Sequence, residues 1–106
     1  MKFVIETNLA SQPSWWLVDN DDQVLAWAGT TYISVAYADQ AAHDFRVNAV
    51  DPDYRVHARA GSSWWWTAWC SEGVRVAVSS EPFPTERAAR DAARIVQQEA
   101  STALGP

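Results

Sequence analysis

Tryptophan is the residue type with the most to offer chemically here, because seven occur in a chain of 106 residues. Trp16, Trp65 and Trp69 lie in strand-like runs, and Arg55, Arg59 and Arg75 lie in neighbouring runs. An indole beside a guanidinium can form a cation–π pair, or a platform on which a flat ligand stacks. A sugar ring, a nucleobase or an aromatic metabolite would suit such a platform. The other chemistry-bearing residues form no constellation. His43 and His57 stand alone, with no Cys or His at zinc-ligand spacing. The run from Asp19 to Gln23 opens like a calcium loop, but Val24 stands where such a loop needs glycine and Thr30 where it needs glutamate. No Gly-x-Ser-x-Gly elbow or phosphate-cradling glycine loop occurs, and Cys70 has no basic neighbour in sequence to activate it. No catalytic residue, metal site or cofactor is expected, and the chain reads as non-enzymatic.

Charge narrows the partners. Thirteen acids against eight bases give a net charge of −5, and Lys2 is the single lysine. A net acidic chain is poorly suited to general binding along a phosphate backbone, where affinity comes from counterions released by clustered Lys and Arg, so no nucleic-acid partner is expected. Acidity with Arg in place of Lys would suit a salt-rich cytoplasm, and GC-rich coding would produce the same bias. One cysteine allows no internal disulfide. Met1 to Glu6 turns polar too soon for a signal peptide, and no apolar run is long enough to span a bilayer. A cytoplasmic protein with no membrane partner is the expectation.

The elements that must position these side chains recur at an offset of 51 residues. Ala38, Ala41, Ala42, Phe45 and Ala49 follow the spacing of one helix face, and Ala89, Ala92, Ala93, Val96 and Ala100 repeat it. Ser34 and Thr85 are the matching N-caps. Ahead of each helix the pattern alternates or turns aromatic, as strands do. Asp19–Asp22 and Ser71–Gly73 are turns, and Pro52 stops the first helix. The expectation is one α+β domain over residues 1–106. It would be built from two tandem β-β-β-α repeats, at about 3–50 and 54–101, forming one antiparallel sheet with two helices on one face. The tail after Ser101, ending Gly105-Pro106, is expected to fray.

Strand alternation assigns the faces. Phe3, Ile5, Trp15, Leu17, Leu25, Trp27, Tyr54, Val56, Trp66, Ala68, Val74, Val76 and Val78 are expected under the helices. Val4, Glu6, Trp16, Val18, Val24, Arg55, His57, Arg59, Trp65, Trp69 and Arg75 are expected on the opposite face. Two short helices can cover one side of six strands only, which leaves the second aromatic side bare unless arginines lie over its rings.

Phe3-Val4-Ile5-Glu6, the strand Trp15-Trp16-Leu17, a turn at Asn20, Val24-Leu25-Ala26, then Tyr32 and Ser34 before a helix together resemble the YegP-like family of small, often tandem-duplicated domains. The second half repeats the pattern as Tyr54–Val56, Trp66, Gly73, Val74–Ala77, Phe83 and Thr85. The family's usual Asn-Gly turn is Asn20-Asp21 in the first half and Glu72-Gly73 in the second. The resemblance implies an α+β fold in which two repeats, or two subunits, complete one antiparallel sheet. It carries over no catalytic residues. The expected function is a self-associating interaction module, a homodimer formed through the bare face or a sheet edge. The alternative is a small-ligand-binding module using Trp16, Trp65, Trp69, Arg55, Arg59 and Arg75.

Overall fold

The computed structural model describes residues 1–105; Pro106 lies outside the described residues. The elements run β1 (Lys2–Thr7), β2 (Pro13–Val18), β3 (Val24–Trp27), α1 (Val35–Asn48), β4 (Asp53–Arg59), β5 (Ser63–Trp69), β6 (Arg75–Val78) and α2 (Glu86–Glu99), closed by a 3-10 turn at Ala100–Thr102. The strands form one six-stranded antiparallel sheet in the order β1-β2-β3-β6-β5-β4. Both helices pack on the same side of it.

Local chemistry starts each helix. The Ser34 hydroxyl accepts from the Tyr37 amide at 3.2 Å and the Thr85 hydroxyl from the Ala88 amide at 3.0 Å, satisfying an orphan donor of each first turn. Alanine then decides how the helices sit. Ala38, Ala42, Ala49, Ala89, Ala93 and Ala100 are buried, and their small side chains let large rings from the sheet fill the gap. Trp15 lies face to face with Phe45 at 5.1 Å between centroids, Phe3 meets Trp15 edge-on at 5.5 Å, and Tyr54 tilts against Trp66 at 5.6 Å. Trp15 and Trp66 are fully buried.

Two β-bulges correct the expected faces. The register steps by one residue at Leu17/Val18 against β3 and at Ala68/Trp69 against β6. Each step leaves an extra residue, Leu25 or Val76, that packs on the helix side together with the residue after it. Ala26 and Ala77 therefore occupy the buried face, and Trp27 and Val78, expected there, move to the opposite one. Trp27 accordingly pairs with Trp16 and Val78 with Thr67. Val74, also expected in the core, is exposed in the turn before β6. The tail is not frayed as far as it is described. Phe3 donates to the Leu104 carbonyl at 2.8 Å, Leu104 donates to the Met1 carbonyl at 3.1 Å, and Ala103 is buried. These bonds close the outer rim of β1, which would otherwise be a free edge.

The Tyr54 hydroxyl donates to the Ala49 carbonyl at 2.7 Å, and burial raises its pKa well above 10. Burial also raises Tyr32, while a bond from Trp15 lowers it. The neutral phenols are favoured in the fold, so their contribution is complete below the unfolded value of about 10 and is lost as pH rises beyond it. Denaturant midpoints should fall above pH 10, and fall less steeply in Tyr54→Phe. An identical alkaline slope in that variant would contradict the assignment.

Candidate functional site

Among the described residues, no helix or further strand lies on the side of the sheet away from α1 and α2. A row of paired residues crosses it from edge to edge: Val4, Trp16, Trp27, Val78, Thr67 and Arg55. The row changes character at its middle. On the first half, Trp16 and Trp27 stack nearly parallel, 9° apart with centroids at 6.0 Å. On the second half, charge meets aromatic. The Arg55 guanidinium lies 5.2 Å from the centre of the Trp69 ring, and that of Arg59 lies 5.1 Å from the centre of the Trp65 ring. Exposed pairs of this kind are worth about 0.5–1 kcal/mol each. Five of the six expected site residues are thus on this face, but they form two groups.

Arg75 is the exception. Register places it beside Trp69, yet its guanidinium donates to the Gly29 carbonyl at 3.0 Å. Gly29 has φ +77°, and a Cβ there would lie 2.6 Å from a Val78 methyl, so the backbone can lie this close to β6 only as glycine. The rings themselves are half-buried, not bare, because they lie down over smaller residues. Ser14, Thr67 and Val78 are buried on the uncovered side although no helix covers them.

Sequence reading missed what links the second group. The Thr67 hydroxyl accepts from the Trp69 indole at 2.8 Å and shares a 2.7 Å hydrogen bond with His57 Nε2. The His57 ring also lies 5.0 Å from that of Trp65. One threonine therefore fixes both an indole and an imidazole, and alternation along Arg55-Val56-His57 was the signal that put them on one face. Arg55 is held further by Asp53, at 2.8 Å, whereas Arg59 has no ion pair among the described residues. Strand register gives this face Lys2, Arg55, Arg59 and Arg75, the last turned to Gly29, against Glu6 and Asp53; the other four bases share the remaining surface with eleven acids. The face is locally cationic on an acidic protein.

Two clefts on the helix side were not foreseen. One, of about 660 Å³, lies between α1 and the β5–β6 turn, with Trp15, Tyr32 and Val76 among its lining and Asp44 and Glu72 at its rim. The other, of about 550 Å³, lies between α2 and the β2–β3 turn and is lined by Leu25, Phe83, Ala92 and Ile95 among others. No group of three or more His, Cys, Asp or Glu among the described residues could hold a metal ion. No described helix is long and apolar enough to cross a membrane. Cys70 is a free, half-buried thiol at the end of β5, and His43 is an exposed helix side chain 3.5 Å from Arg46.

No family model and no curated protein matches the chain. Solved structures do. A UPF0339 protein from Shewanella oneidensis superposes with a TM-score of 0.76 at 10% identity, covering 94% of this chain and 84% of that one. YegP from E. coli, a protein of unknown function, superposes with a TM-score of 0.77 at 11% identity, covering 96% of this chain and 87% of its own. With its six-stranded antiparallel sheet and two helices on one side, the chain has the fold of the YegP-like proteins.

Proposed function

We propose that the chain is a small non-enzymatic binding module whose uncovered sheet face holds a flat anionic compound. The ligand's ring lies on Trp65 or Trp69, and its charge meets Arg59 or Arg55. One observation carries the reading: two guanidinium–indole pairs stand on the face without helices, on a chain whose other surfaces are acidic. A neutral sugar could use the same rings, but the arginines favour an anion. Uridine monophosphate and indole-3-acetate should each shift the indole N–H signals of Trp65 and Trp69 in an NMR titration. Removing one ring as Trp65→Ala should weaken binding about fivefold or more, since stacking is worth about 1–3 kcal/mol per ring. Flat anions that leave both signals unmoved would sink the reading.

The first half of the face supports a second reading, self-association of two copies as a homodimer. Val4, Trp16 and Trp27, all half-buried, form a continuous apolar strip there, suited to a matching strip. A standard interface buries about 800 Å² per partner. Sedimentation of the same samples would remove this reading if only monomer were present at high micromolar concentration, in low and in high salt.

A further inference from the structure

Resting on the flat-anion reading, we propose that the ligand class of the second half of the face is a short single-stranded nucleic acid segment, bound along β4 and β5. Arg55, His57 and Arg59 occupy alternate positions of β4 on the uncovered side. Their repeat of about 6.7 Å is close to the step between successive phosphates of an extended single strand. On the adjoining strand, Trp65 and Trp69 stand opposite His57 and Asp53. The two rings are four residues apart, about 13 Å, with Thr67 between them. That spacing suits a segment whose first and third bases stack on the two indoles while the middle base lies over Thr67 and His57. Each ring already has an arginine over it. Arg59, which has no ion pair among the described residues, can slide from its ring to the adjacent phosphate when a base takes its place, whereas Arg55 stays paired with Asp53.

The matching positions of the first half show that the fold does not require this pattern. Offset by 51 residues, Arg55, His57 and Arg59 become Val4, Glu6 and Asn8, while Trp65 and Trp69 become Ser14 and Val18. Arginines lying over indole rings are therefore confined to one half of one face. The hairpin end of the strip, from Arg59 to Ser63, holds no acid that would repel a phosphate. The whole-chain charge argues against a duplex, which needs many phosphate contacts, but Arg59 with two stacking rings suffices for a weak grip on a single strand.

The test uses the full chain and a fluorescein-labelled oligouridylate hexamer, with uridine monophosphate and an RNA duplex as comparisons. The hexamer should bind at least tenfold more tightly than the monophosphate and more tightly than the duplex. With one phosphate neutralised by Arg59, log K should fall against log salt with a slope of about −0.7, and Arg59→Ala should bring the slope close to zero. Trp69→Ala should weaken the hexamer while leaving the slope unchanged. If the hexamer binds no better than the monophosphate, with both shifting Trp65 and Trp69, the oligonucleotide inference is overturned and the flat-anion reading stands. If the hexamer, the monophosphate and indole-3-acetate all leave those signals unmoved, both fall together. Binding that Arg59→Ala and Trp69→Ala leave intact would overturn the inference by placing the strand elsewhere.

Discussion

Replacing Trp15 by alanine is expected to lower the free energy of unfolding by about 3–5 kcal/mol, the range for truncating a large buried aromatic. Trp15 is fully buried, stacks on Phe45, meets Phe3 edge-on and packs beneath the alanines of α1, which are too small to collapse into the space it would leave. Domains of this size have about 5–15 kcal/mol in total, so the variant should be largely unfolded at moderate urea concentrations. Trp16→Ala is the control: a half-buried residue on the uncovered side, expected to cost far less. Urea melts followed by circular dichroism separate the two. Equal losses would mean that the two sides of the sheet are packed alike.

A reciprocal pair of substitutions should move stability in opposite directions. Tyr32 and Phe83 hold matching places, since Tyr32 donates its amide to the Pro13 carbonyl at 2.8 Å and Phe83 to the Trp64 carbonyl at 2.7 Å. In the first half, the Tyr32 hydroxyl accepts from the Trp15 indole. Phenylalanine has no hydroxyl, and the buried Trp66 Nε1–H has no partner among the described residues. Tyr32→Phe should cost about 1–3 kcal/mol, because it orphans a second buried indole donor. Phe83→Tyr should stabilise by about 1 kcal/mol by supplying the missing acceptor. Thermal melts of both variants and of the double exchange would check this. A destabilised Phe83→Tyr would show that no room exists for the hydroxyl beside Trp66.

What could be read from the sequence was whatever obeyed a period. The alanine stripes placed both helices and the faces they bury, because a helix turn tolerates no slip without exposing apolar surface. Trp15 and Trp66 were legible as core because they recur at the 51-residue offset, and strand alternation set Arg55, His57 and Arg59 opposite them. Alternation failed at Val24–Trp27 and at Val74–Val78. A bulge adds one residue without a glycine or proline to mark it, and every side chain beyond it changes sides. Trp27 was misplaced in this way, and with it the stack on Trp16. The residue types of the second group were evident, but the bonds among them were not, since Thr67 lies among tryptophans with nothing in its neighbours to single it out. Arg75 and the tail were decided by long-range partners, Gly29 and β1, that no local pattern announces.

The sheet is joined in the middle by a narrow seam. β3 and β6 share the single register pair Trp27–Val78, supplemented by side-chain bonds from Arg75 to Gly29 and from Ser80 to Val24. The outer hairpins β1–β2 and β4–β5 are zipped along six and seven register pairs. Most sheets are firmest at the centre and fray outward; this one is built the other way round. Amide protons should therefore exchange with solvent most readily along the midline, and a breathing motion there would part the stacked tryptophans from the arginine strip as two semi-rigid leaves.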